Sequence, residues 1–171
     1  RVSASPIQYP ATKSAEPLSR AVVEEGLRYD SALWETLALA YFEAYHTDRS
    51  VSPSYLQKSA DCFQRVIELG VSKAYLYANL YTIYYEQKNY TAAEETLQAY
   101  EAAFPEDYMP HAFRGMMLIT IENGKAQSKR DYRKALAEYE TAGSMIRSSD
   151  ETSYYQQLES LIQELRRNGW L

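Results

Sequence analysis

Apolar residues recur every three or four positions along most of this chain, the period of one helix face. In Ala74 to Tyr90, AYLYANLYTIYYEQKNY, the residues Tyr77, Leu80, Tyr81 and Tyr84 fall at i, i+3, i+4 and i+7. Strict alternation, the mark of a strand, is broken at Asn79, Leu80 and Tyr81. After Lys88 and Asn89 the rhythm resumes with Tyr90, Ala93, Leu97 and Tyr100. Thr91 and Glu94 have the spacing of a capping box, and Pro105 marks the end of that second helix. The stretch therefore predicts a helix–turn–helix hairpin, and its tyrosines are expected inside it, each burying ~150–250 Å² with its hydroxyl at the rim. Tyr75 and Tyr85 lie off the core stripe and are left to contact something else.

Two more hairpins carry the same pattern. Trp34, Leu37, Ala38 and Tyr41 are followed by Ser59, Phe63, Val66 and Leu69. His111, Gly115 and Leu118 are followed by Tyr132, Ala135, Tyr139 and Ala142. Tyr77 and His111 stand 34 positions apart, and Trp34 and Tyr77 nine further than that. The excess sits around HTDRSVSPS, where Ser52 and Pro53 suit the start of a helix. A second insertion of about eight residues, NGKAQSKR, interrupts the third hairpin.

At the ends, Pro17 to Tyr29 reads as a further helix with Leu18, Ala21, Val22 and Leu27 apolar. Ser148 and Glu151 can form a capping box for a last helix striped with Tyr155, Leu158, Leu161, Ile162 and Leu165. Gly169 is placed to end it, with Trp170 folding back on Leu165. Eight helices result. Arg1 to Glu16, with Pro6 and Pro10, is expected to be extended.

Composition agrees with helices. Glycine and proline number six each, too few for an all-β chain with many turns, whereas tyrosine numbers 17. With 46% hydrophobic and 24% charged residues over 171 positions, the chain has the make-up of one globular domain or one solenoid. A net charge of −5 argues against a general nucleic-acid or anionic-membrane binder. No apolar run approaches the ~20 residues of a membrane span, so direct membrane insertion is not expected. The chain begins at Arg1, which reads as a fragment of a longer protein.

Trp34, Leu37, Ala38 and Tyr41, with Asn89, Tyr90 and Ala93 through to Pro105, resemble the tetratricopeptide repeat (TPR) family. The resemblance covers roughly Ser31 to Met145. It implies an all-α, right-handed superhelix of about three helix–turn–helix repeats with flanking N- and C-terminal helices. The expected organisation is an extended arm over residues 1–16 and a solenoid over 17–171. Its repeats are at about 31–70, 71–105 and 106–147, with a capping helix at about 150–168. Two departures are visible. Tyr81 fills a slot that is usually small, and Arg114 stands where leucine is usual.

In that family the first helix of each hairpin lines a concave groove. By register the groove residues here are Glu35, Leu39, Phe42 and Glu43, then Tyr75, Asn79, Thr82, Tyr85 and Glu86, then Met109, Phe113, Met116 and Ile119. A TPR subclass that grips a C-terminal carboxylate uses lysines, asparagines and an arginine at these slots. Glu35, Leu39, Met109 and Phe113 supply none of those cations, and only Asn79 is compatible. The lining instead suits an apolar or weakly basic peptide, or a helix laid in the groove, and the alternative is that Leu39, Phe113 and Met116 merely pack against neighbouring helices. The N-terminal arm, with Val2, Ile7 and Tyr9, is another candidate occupant of the groove, or packs on a neighbouring molecule.

Candidate chemistry is sparse. His46 and Asp48 are expected in a loop with no nucleophile beside them, and His111 is expected to pack where the family has tryptophan. No clustered ligand set, phosphate loop or catalytic grouping is present, so no metal, cofactor or enzyme activity is expected. Cys62, the lone cysteine, reads as a small core residue, and it forms no internal disulfide framework. Asn89-Tyr90-Thr91 matches a glycosylation acceptor, but the asparagine has a turn to make. Lys125, Lys129, Arg130, Arg133 and Lys134 form a basic run able to dock an acidic partner or simply to face water.

The expected function is a non-catalytic protein- or peptide-binding scaffold module. The alternative is a regulatory or sensor domain that binds a small peptide or ligand. The family resemblance suggests part of a bacterial multidomain protein, attached to a signalling kinase or a membrane-tethered protein, as a soluble cytoplasmic or extracytoplasmic portion. Partner identity and oligomeric state are left open.

Overall fold

The computed structural model describes residues 27–48, 53–146 and 152–167. Among them the chain is all-helical, with seven α-helices: α1 Ser31–Thr47, α2 Ser54–Glu68, α3 Ala74–Glu86, α4 Tyr90–Ala103, α5 Met109–Asn123, α6 Arg133–Met145 and α7 Thr152–Arg167. Short 3-10 turns occupy Leu27–Tyr29 and Gln127–Lys129. The chain divides into two units, Arg1–Gln87 and Lys88–Leu171.

In the first unit, α1 starts where the Asp30 carboxylate accepts from the amides of Ala32 and Leu33 at 3.0 and 3.2 Å. The Trp34 indole donates to the Arg28 carbonyl at 3.0 Å and fixes the entry to the helix. α1 and α2 are antiparallel: Tyr41 meets Tyr55 edge-on at 5.1 Å, and one turn earlier on α1 the Ser59 hydroxyl donates to the Ala38 carbonyl at 2.8 Å. That second contact needs a small residue at 38, and it satisfies the otherwise buried Ser59. Gly70, at φ +87, ends α2; its amide reaches the Ile67 carbonyl and the Val71 amide reaches Val66. The chain turns back, and Leu76, Leu80 and Ile83 of α3 join Leu56, Phe63 and Val66 of α2 in one core with Leu37, Ala38 and Tyr41.

In the second unit, Asn89 caps α4 by accepting from the Ala92 amide at 3.3 Å. The expected Thr91–Glu94 capping box does not form: Thr91 lies inside the helix, and Glu94 is drawn to Arg114. α5 packs antiparallel to α6, with Gly115 against the Tyr139 ring and the Tyr132 hydroxyl donating to the Asn123 side chain at 2.6 Å. A β-carbon at 115 would sit 2.7 Å from the Tyr139 ring, so the close approach requires glycine. Tyr132, Tyr139, Ala142 and Ile146 continue into Leu158, Ile162 and Leu165 of α7. Leu161, expected in that stripe, points outward at 38% exposure, because 158, 162 and 165 already fill the face turned to α6.

Three expectations at the helix ends are corrected or fall elsewhere. α2 begins at Ser54 with Pro53 before it, one residue later than expected. The predicted helix Pro17–Tyr29 shows only its 3-10 end, residues 17–26 lying outside the described residues with the arm 1–16. Ser148, Glu151, Gly169 and Trp170 lie outside them too. No helix among the described residues is long and apolar enough to cross a membrane.

Candidate functional site

α2 runs antiparallel to both α1 and α3, so those two run parallel, and their side chains meet at two places. At one end the Tyr75 hydroxyl donates to the Glu35 carboxylate, and Lys73 Nζ lies 3.5 Å from Glu35 and 3.2 Å from the Tyr75 oxygen. At the other end His46 Nε2 lies 3.4 Å from Glu86, with the imidazole tilted on Phe42 at 4.4 Å. The pairs Glu35–Tyr75 and His46–Glu86 have the same separation of 40 residues. Between these bridges Glu35, Leu39, Phe42 and His46 run along α1 at i, i+4, i+7 and i+11. Tyr75, Asn79, Thr82 and Glu86 run along α3 at the same spacing.

This face is a shallow apolar strip framed by charge. Leu39 is 44% exposed and Tyr75 40%, while Phe42, Asn79 and Thr82 are half-buried. Glu35 pairs with Lys73 at one end and Glu86 with His46 at the other, and Glu43, next to Phe42 on α1, is exposed. Burial and the Glu35 hydrogen bond raise the Tyr75 phenol, Lys73 opposing them. The Tyr75 hydrogen bond, with Glu35 behind it, raises Lys73, so the ammonium stays charged. Tyr85 stacks on Tyr81 at 5.7 Å, so its ring is partly committed within α3. His46 lies in the last turn of α1, not in the expected loop, because the helix runs on through Thr47.

α5 in the second unit carries a stripe of the same form. Met109, Phe113 and Met116 follow the i, i+4, i+7 spacing, with Met116 38% exposed and the other two half-buried.

The opposite side of α5 holds a polar knot that the sequence did not announce. The Arg114 side chain, only 12% exposed, donates from Nε to Glu94 at 3.0 Å, from Nη2 to Glu101 at 3.0 Å and from Nη1 to Glu138 at 3.3 Å. His111 Nδ1 lies 2.8 Å from Glu138, and its Nε2 lies 3.6 Å from Glu101. Burial disfavours the guanidinium cation, but the bond to Glu101 and the charges of Glu94 and Glu138 outweigh it and raise Arg114. One fork thus ties α4, α5 and α6. The only sequence signal was the substitution of arginine for an expected leucine.

The basic run is used largely inside its own loop. Lys125 pairs with Glu122, the Arg130 guanidinium donates to the carbonyls of Lys125 and Asn123 at 3.1 and 3.2 Å, and Arg133 forks onto Asp131. The buried Glu122 also accepts from the Asp131 amide at 2.9 Å, which closes the inserted loop onto the end of α5. The Lys125 hydrogen bond, then the Asp131 amide, hold the Glu122 carboxyl below its ordinary range. Lys129 and Lys134 are exposed.

Cys62 is buried, and desolvation, aided by Asp61 against Lys58, pushes its thiol up to about 12. The Tyr100 hydroxyl donates to Asp107 at 2.8 Å across the α4–α5 turn, and burial followed by that carboxylate raises its phenol. No group of three or more histidine, cysteine, aspartate or glutamate side chains among the described residues has an arrangement able to hold a metal ion.

No protein-family model matches the chain, and no curated protein matches it.

Proposed function

We propose that the chain is a non-catalytic protein- or peptide-binding module, built as a TPR-like stack of helical hairpins, whose ligand lies along the α1–α3 face. One observation carries the reading: two parallel helices joined at both ends by side-chain bridges, with Leu39 and Tyr75 left open between and beside them. The bridges hold the helices at a fixed spacing, so the strip is formed before a ligand arrives and little ordering cost attaches to binding. A ligand side chain would bury against Leu39 and Phe42, while Asn79 offers a donor and an acceptor for a peptide group. The acidic frame favours a ligand that carries positive charge.

Selection of a random peptide library on the full chain tests this. Enriched peptides should share an apolar residue with basic neighbours and should lose binding to Leu39→Arg, a change at an exposed position that leaves the core intact. Absence of enrichment, or binding indifferent to Leu39→Arg, would overturn the proposal.

A further inference from the structure

We propose that residues 1–15 of the chain itself dock along the α1–α3 face and compete with any external ligand; this rests on the reading of that face as a binding groove. The argument is one of matched chemistry and reach. The segment RVSASPIQYPATKSA contains two cations, Arg1 and Lys13, and no acid, in a chain of net charge −5. Its apolar pair, Ile7 and Tyr9, suits the apolar Leu39 and Phe42, and its positive charge suits a face that carries Glu35, Glu43 and Glu86 against the single lysine Lys73. Arg1 and Lys13, twelve positions apart, fall beyond the two ends of the strip. In an extended segment Ile7 and Tyr9, two positions apart, project to the same side. Pro6 and Pro10 lack amide donors, so the segment brings fewer main-chain groups that need partners.

The dimensions agree. From Glu35 to His46 the strip runs about 16 Å along α1, a length covered by about five extended residues. Eighteen positions separate Tyr9 from Leu27, where the described part of the chain begins. Even at the 1.5 Å rise of a helix, 18 residues reach about 27 Å, enough to return to a face on the helix that follows. Tethering at this length gives an effective concentration of the order of millimolar, so even a weak contact keeps the face occupied until a better ligand displaces it.

The test uses a fluorescent peptide of residues 1–15 and three full-length proteins: the wild type, Ile7→Asp/Tyr9→Asp, and that double variant with Leu39→Arg added. The double variant should bind the peptide about tenfold or more tightly than the wild type, whose own segment already fills the site. Adding Leu39→Arg should abolish the gain. Equal affinity for wild type and double variant, no binding to either, or a gain that survives Leu39→Arg would overturn the proposal. So would a wild-type dimer that the double variant dissolves, since the occupant would then come from a second copy. If library peptides still bind through Leu39 while this peptide does not, the groove stands and only its internal occupant falls.

Discussion

Tyr75 donates its hydroxyl to the carboxylate of Glu35, a residue 40 positions earlier, and the bond joins two parallel helices that share no direct turn. Lys73 reaches the same carboxylate and stacks its ammonium 5.5 Å from the Tyr75 ring centre. Because the pair is partly exposed, water screens it, and removing the hydroxyl with Tyr75→Phe should cost about 0.5–1 kcal/mol. Combining Tyr75→Phe with Glu35→Gln in a urea-unfolding double-mutant cycle should show coupling of a few tenths of a kcal/mol or more. Strict additivity would mean that the bridge does not hold α1 to α3.

Gly115 faces the ring of Tyr139, whose nearest carbon would lie 2.7 Å from an added β-carbon. An alanine gains up to about 1 kcal/mol of helix propensity. Overpacking against a buried ring costs about 1–3 kcal/mol. Gly115→Ala should therefore destabilise the chain, and Tyr139→Leu, which removes the clashing atoms, should make the same alanine far less harmful. A thermal-melt cycle over the four proteins reads this directly.

Arg114 is the single strong cation in a knot with Glu94, Glu101 and Glu138. Arg114→Leu supplies an apolar side chain but leaves three carboxylates without their partner. The loss should be about 2–4 kcal/mol. Arg114→Lys keeps the charge and loses the fork, so it should fall between the two. Denaturant midpoints measured at neutral pH will rank them; a leucine variant as stable as the wild type would show that the knot does not tie the helices.

Glu122 closes the inserted loop through Lys125 and the Asp131 amide, and these contacts hold its carboxyl below the ordinary value. Asp131 is held low as well, by the Arg133 side chain first and then the Arg133 amide. The sign follows from linkage: a depressed folded value gives stability that is complete above the unfolded value of about 4.3 and is lost as pH falls through the folded one. Glu122→Gln should melt below the wild type near neutrality, and the two melting curves should converge on acidification below about pH 4. A constant gap across that range would exclude the latch.

Much of the fold was legible because helical periodicity fixes which residues hide. Leu37, Ala38 and Tyr41, Tyr77, Leu80 and Tyr81, and Ala135, Tyr139 and Ala142 were identified by spacing alone, and all are buried. Of the candidate face, spacing set Tyr75 off its core stripe, while Leu39 came only from the register of the TPR resemblance; both side chains are exposed. Capping was less so. Asn89, not Thr91, starts α4, because several short polar side chains compete for the same orphan amides and local sequence does not rank them.

By itself, then, the sequence determined which side of each helix faces a core, since a 3.6-residue repeat commits every apolar side chain to a face before any neighbour arrives. Tertiary structure decided which residues meet across helices. The core pattern of α1 recurs in α3 after 43 positions, from Trp34 to Tyr77, yet the lateral pairs form after 40. That difference of about one turn, some 4–5 Å along the helix axis, comes from how α1 and α3 settle against α2. It brings Tyr75 to Glu35 and Glu86 to His46, and in the second unit the fork of Arg114 finds Glu94, Glu101 and Glu138 in the same way. Such meetings depend on the slide and tilt of packed helices, which no single helix encodes.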